Sequence, residues 1–190
     1  MHNRKILIIG EVYVDQHLDI IESGYSTSRL GGIFHAARSC DALNIEYALA
    51  YYAPDYLVKD VEKFGIDVLR ASSIFRLGKV DKAPNVMLIG QSDESGNQLY
   101  ENILGRQAEY VSMLPFMQVL DDFDPTDIII FPGRYGNAGI LSNLSNYAGK
   151  IHIDMNYDCD DILDLDTIKI QTVFLSTSST SFEEFFKEIS

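Results

Sequence analysis

Apolar residues in this chain fall into short unbroken runs separated by polar turns, the pattern of strands covered on both faces. Ile6, Leu7, Ile8 and Ile9 form the first run and predict a buried strand. Residues 46–52, 66–69, 127–131 and 150–154 read as further strands. Between them lie segments of helical period: the stripe Ile33, Ala36, Ala37, Cys40 and Leu43, then 55–64 capped at Gly65, then about 110–120, then 138–147. Alternation of strand and helix predicts an α/β fold with a mostly parallel sheet. The middle of the chain breaks the alternation, because 74–77, 86–91 and 98–104 are all strand-like and a polar turn at 92–97 joins the last two. A β-hairpin of this kind cannot be a crossover unit. It is predicted to stand off the main sheet with residues 12–21 and to cover a pocket mouth, as lids do when they exclude water.

That pocket is expected where the first strand ends. Gly10-Glu11 closes the strand, Asp15 follows four residues later, and Gly31-Gly32 opens the first helix. In open α/β sheets ligands bind outside the carboxyl ends of the strands, which puts Asp15 at the mouth of the crevice. The glycine pair lets backbone approach closely and is expected to present free N–H groups at a helix start. A hydroxyl-rich ligand would satisfy both.

Charge and rarer residues narrow the function. A formal net charge of −13 leaves no basic stripe for a phosphate backbone and disfavours anionic membranes, so neither nucleic acid nor membrane is expected as a partner. No apolar run is long enough to span a bilayer and the opening MHNRK leads directly into a strand, so a cytoplasmic location is expected. Cys40 and Cys159 are too few for a disulfide framework, and His2, His17, His35 and His152 have no ligand spacing. The acidic stretch through Asp154, Asp158, Asp160, Asp161, Asp164 and Asp166 lacks the glycine and spacing of a calcium loop; capping and solvation explain it, and no metal site is assigned. Arg134 and Tyr135 fall in a turn marked by Pro132-Gly133 and read as a solvated loop. Gly10-Glu11-Val12 does not continue as a dinucleotide fingerprint, which weakens a Rossmann-type reading.

Several segments, in order, resemble the ribokinase-like (PfkB-type) sugar and nucleoside kinases. KILIIGEVYVD (5–15) is similar to that family's first strand and substrate-binding aspartate, and RLGGIFHAARSCDALNIEYALAYYAPD (29–55) to its Gly-Gly motif, first helix and second strand. VEKFGIDVL (61–69), VMLIGQSDESGNQLYENILGRQAEY (86–110) and GKIHIDMN (149–156) resemble a helix end, the hairpin lid and a later strand. The resemblance implies a three-layer α/β/α ribokinase-like sheet with a small β-hairpin lid, the N-terminal two-thirds of such a protein. One domain over 1–190 is expected, its lid formed by about 12–21 and 74–104. The implied activity is phosphoryl transfer from ATP, with Mg2+, to the hydroxyl of a sugar or nucleoside. Asp15, Gly31, Gly32 and His35 would bind the substrate, His35 standing where the family usually has asparagine.

Two departures shape the expectation. The family's Gly-Ala-Gly-Asp turn, with the catalytic base and anion hole, has no counterpart before Ser190, so the catalytic residues are expected beyond this chain and the chain alone is expected to be inactive. In TVFLSTSSTSFEEFF (172–186), Ser176 and Ser179 stand where the family has an Asn-x-x-Glu element, and a hydroxyl is a poor substitute for a carboxylate around a hard cation. The competing expectation is therefore a non-catalytic relative that binds a ligand or assembles with a subunit. The exposed edge of the hairpin suggests a homodimer through the lid. Phe182, Phe185, Phe186 and Ile189 read as an apolar helix face.

Overall fold

The structure, a computed structural model, describes residues 4–17, 27–92, 98–103, 108–131, 140, 143–156 and 169–176. Its strands in chain order are β1 (Lys5–Glu11), β2 (Val14–His17), β3 (Thr27–Leu30), β4 (Glu46–Ala53), β5 (Ser73–Asp81), β6 (Val86–Ser92), β7 (Gln98–Ile103), β8 (Glu109–Ser112), β9 (Asp127–Ile130), β10 (Lys150–Asn156) and β11 (Ile170–Ser176). The α-helices are α1 (Phe34–Ala42), α2 (Val58–Lys63) and α3 (Phe116–Phe123).

β1 lies at the centre, with Leu7, Ile8 and Ile9 fully buried. It pairs in parallel with β4 on one side, Ile8 opposite Leu49, and with β9 on the other, Ile9 opposite Ile130. The sheet runs β11-β10-β9-β1-β4-β5-β8, parallel throughout except for β8, which is antiparallel to β5. Because successive side chains leave a strand on opposite faces, β1 serves two cores. Leu7 and Ile9 pack with Phe116, Val119 and Phe123 of α3; Ile6 and Ile8 pack with Phe34, Ala37 and Cys40 of α1 and Val61 of α2. Those spacings of three and four residues are the apolar stripes of helices lying on a sheet. The result is three layers, helix on sheet on helix. Truncating a central residue such as Ile8 to alanine would cost about 2–5 kcal/mol, as for other filled aliphatic cores.

A second sheet, β3-β2-β6-β7, stands apart from the first. β2 pairs antiparallel with β3 and parallel with β6, and β6 and β7 form the hairpin expected from the sequence.

Three sequence expectations are corrected. Residues 74–81, grouped with the lid, belong to β5 and pair with β4 in the main sheet. Residues 66–69 are not a strand: the helix runs through a π turn, Phe64–Val68, with Ile66 and Val68 exposed and Gly65 inside the turn rather than capping it. The expected helix at 110–120 is a strand, β8, as far as Ser112, and α3 starts only after Pro115, whose fixed φ suits a helix entry. The turn at 93–97, Pro132-Gly133 with Arg134 and Tyr135, most of the helix expected at 138–147, Cys159, His2, the acidic residues from Asp158 to Asp166, Ser179 and the apolar face from Phe182 lie outside the described residues. Among the described residues no helix is long and apolar enough to cross a membrane.

Candidate functional site

The carboxyl end of β1 meets the base of the second sheet, and two carboxylates lie there. Asp15 sits in β2, only 3% exposed. It is registered directly opposite Arg29 of β3, and cross-strand partners project to the same face, so the Arg29 Nε comes within 3.5 Å of Asp15 Oδ2. His35, in the first turn of α1, brings Nε2 to 3.0 Å from the same oxygen. Neither approach is aligned as a hydrogen bond, and Asp15 Oδ2 is buried with no hydrogen-bond partner among the described residues. A buried carboxylate oxygen in that state keeps acceptor capacity to spare, and leaving it unmet costs free energy.

The glycine pair makes room for this arrangement. A Cβ at Gly31 would fall on the Asp15 carboxylate itself, so only glycine lets the chain pass there. Gly32 has φ +61, and a Cβ would run into the Glu11 carbonyl oxygen. Two of the N–H groups expected to be free at this helix start are engaged. The Gly31 N–H donates to the Tyr13 carbonyl at 2.8 Å and the Ile33 N–H to the Glu11 carbonyl at 3.1 Å. The glycines act through space and backbone turn. Asp15, Gly31, Gly32 and His35, picked from the sequence, are thus brought together by the structure.

Glu11, noted in the sequence only as a strand end, is the second carboxylate, 4% exposed. It accepts from the Tyr110 hydroxyl at 2.8 Å, the Tyr13 hydroxyl at 2.7 Å and the Asn85 side-chain amide at 3.3 Å. Asn85 also donates to the Val12 carbonyl at 3.0 Å, and its own carbonyl accepts from the Val14 N–H at 2.8 Å. One carboxylate therefore ties β1, β8 and the approach to β6 to the base of β2. Tyr110 and Asn85 are distant from Glu11 in the chain, so no local motif announces them. Arg29 precedes the glycine pair in the sequence, but its role follows only from the β2–β3 register.

No family model matches this sequence, and no curated protein matches it significantly. Solved structures do match it. A candidate 2-keto-3-deoxygluconate kinase from Enterococcus faecalis superposes with a TM-score of 0.62 at 14% identity, over 97% of this chain and 61% of that one. A microbiome-derived acarbose kinase gives 0.58 at 13% identity, over 97% and 66%. Fructokinase from Xylella fastidiosa gives 0.57 at 12% identity, over 80% and 50%. The chain has the ribokinase-like fold. At these identities the likeness is one of fold, and the ribokinase-like chain spans half to two-thirds of the length of those structures.

Four other polar groups of the fold make no contact with Asp15 among the described interactions. Asp127 and His152 approach to 3.4 Å at the starts of β9 and β10, the opposite end of the sheet. Cys40 is buried under α1 as a free thiol, and burial raises its pKa, which makes it a packing residue. Asp154, on β10, is half-buried and its pKa is raised by desolvation.

Proposed function

We propose that this chain forms the sugar-binding and lid part of a carbohydrate kinase, in which ATP would transfer its terminal phosphoryl group to a hydroxyl of a sugar or nucleoside. The observation that carries this reading is the Asp15 carboxylate, buried between lid and helix with an unmet oxygen, on a fold whose neighbours are sugar kinases. Asp15 would accept a hydrogen bond from a substrate hydroxyl, a charge-assisted contact about twice as strong as a neutral one. His35, half-exposed beside it, would donate to or accept from a second hydroxyl. Gly31 and Gly32 let the Asp15 carboxylate and the backbone turn pack closely enough to face the ring together. The second sheet would close over the substrate and exclude water, and the Glu11 cluster would hold that sheet's base in place.

Among the described residues no three His, Cys, Asp or Glu side chains converge on a metal position. We assign no described residue to Mg2+, the ATP phosphates or the general base. Ser176 favours a second reading. It ends β11 opposite Asn156, at a position where the resembled family carries asparagine, which fits a ligand-binding or subunit-assembly protein without phosphotransfer.

Calorimetry with a panel of hexoses, pentoses and nucleosides tests the common part of both readings. Asp15→Asn keeps the shape and removes the charge; loss of a charged hydrogen bond, about 1.5–3 kcal/mol, raises Kd roughly 10- to 150-fold. Equal binding by the variant and the wild type would sink the assignment of Asp15. ADP release by the full-length protein in the presence of ATP, Mg2+ and the bound sugar separates the kinase from the non-catalytic relative.

A further inference from the structure

A cavity of about 330 Å³ opens between β3 and the helices α1 and α2, on the flank of the Asp15 crevice. Arg29 of β3, Arg38 of α1 and Lys63 of α2 give it three cationic groups against one carboxylate, Asp60, while Leu30 and Phe64 form apolar wall. This concentration of positive charge occurs in a chain whose formal net charge is −13. Among the described residues neither Arg38 nor Lys63 forms an ion pair.

Arg38 is the unusual member. Its Nη2 donates to the Leu30 carbonyl at 2.6 Å and its guanidinium lies 5.7 Å from the centre of the Phe64 ring. Its Nη1 is buried and has no hydrogen-bond partner among the described residues. Burial, then the positive charge of Arg29, lower its pKa from the usual arginine range, and the nearby Asp15 only partly opposes them. Two guanidinium groups are held close to each other in a partly desolvated setting, with an orphan donor. An anionic oxygen in the cavity would relieve the repulsion.

We infer that this cavity binds a small organic anion, a phosphate or carboxylate group carried on an apolar or aromatic body. Arg38 and Lys63 supply the positive charge that faces the anionic oxygens, and Phe64 and Leu30 pack against the body. The volume lies at the lower end of the range for small-molecule sites and exceeds what a bare ion fills. Arg29 belongs to both places, since it lines the cavity and reaches Asp15 Oδ2 at 3.5 Å. An anion in the cavity therefore competes for the cation beside Asp15 and alters the field at that carboxylate, a link that rests on the reading of Asp15 as a ligand contact.

Titration calorimetry with phenyl phosphate, benzoate and inorganic phosphate tests the site. Phenyl phosphate or benzoate is expected to bind at least tenfold more tightly than inorganic phosphate and to weaken as salt is added. Lys63→Gln and Arg38→Gln are each expected to raise the Kd about tenfold or more, as loss of a charged hydrogen bond does. Lys63 is exposed, so its variant decides the matter if Arg38→Gln does not fold. Asp15→Asn, which removes the carboxylate competing for Arg29, is expected to tighten anion binding while it weakens sugar binding, and the opposite signs separate failure of this site from failure of the sugar site. Absence of binding by all three probes, tightest binding by inorganic phosphate, or equal binding by wild type and Lys63→Gln would overturn the inference.

Discussion

Gly31→Ala probes whether the crevice is built around the Asp15 carboxylate. The added methyl would lie inside the 3.0 Å that real Cβ atoms do not enter, and all three carboxylate atoms of Asp15 are in its way. Asp15 has a short side chain that is buried, so it cannot swing free; either the carboxylate rotates off its position or β2 slides from the glycine turn. Overpacking of this kind costs about 1–3 kcal/mol, which for a chain of this size lowers Tm by roughly 2–12 °C. The displaced carboxylate also loses its charged hydrogen bond to the ligand, so sugar Kd is expected to rise roughly 10- to 150-fold. Gly65→Ala is the comparison. Its methyl would meet the Cδ1 atom of Ile74 at 2.6 Å, the far end of a flexible side chain in the α1–α2 core, so stability changes while sugar affinity does not. Thermal melts by circular dichroism and calorimetry on both variants give the two readouts. If Gly31→Ala melts and binds like the wild type, the contact between Gly31 and Asp15 does not shape the site.

Three further outcomes are expected. Asp154 has a raised pKa in the folded chain, so its contribution to stability is present below its ordinary value of 3.8 and is lost as pH rises through the shifted one; Asp154→Asn should raise Tm at neutral pH, and the gain should vanish by about pH 3. The phenols of Tyr47, Tyr51 and Tyr147 are pushed up to about 12, chiefly by burial, so stability should fall as pH rises from about 10 toward that value, and absorbance titration should show a late-ionising tyrosine class. Early ionisation of every tyrosine in the native protein would contradict this. If the four-stranded sheet pairs with a second copy, sedimentation velocity should show a mass that doubles with concentration; a monomer at every concentration refutes that dimer.

The sequence made the central sheet legible because β1, β4 and β9 are short apolar runs buried on both faces, a signal that survives without knowledge of neighbours, and because Ile151 and Ile153 alternate with polar residues along β10. The first helix was equally clear from its glycine pair and from its stripe as far as Cys40, although Leu43, counted in that stripe, is 70% exposed at the helix end. The failures have one cause: short apolar segments fit more than one structure. Ile66 and Val68 looked like strand residues, yet they are exposed on a π turn because the helix continues through Gly65. Residues 110–112 looked like the start of a helix, although Pro115 carried the better boundary signal. At the site, Asp15, Gly31 and Gly32 were readable from order and spacing. Arg29, Tyr110 and Asn85 were not, because they arrive through strand register and through pairings between distant parts of the chain.

The parallel pairing of β2 with β6 has a consequence for the order in which the molecule assembles. Between these two strands the chain traverses β3, α1, β4, α2 and β5, so Val14 and Val86 meet only once that intervening segment has folded back on itself. Closing so large a loop is opposed by entropy and is rewarded late, which puts completion of the four-stranded sheet after nucleation of the β1–β4–β5 core. The same order holds in reverse. The small sheet is a separable cooperative unit whose amides would exchange with solvent before those of β1, while the larger sheet stays closed.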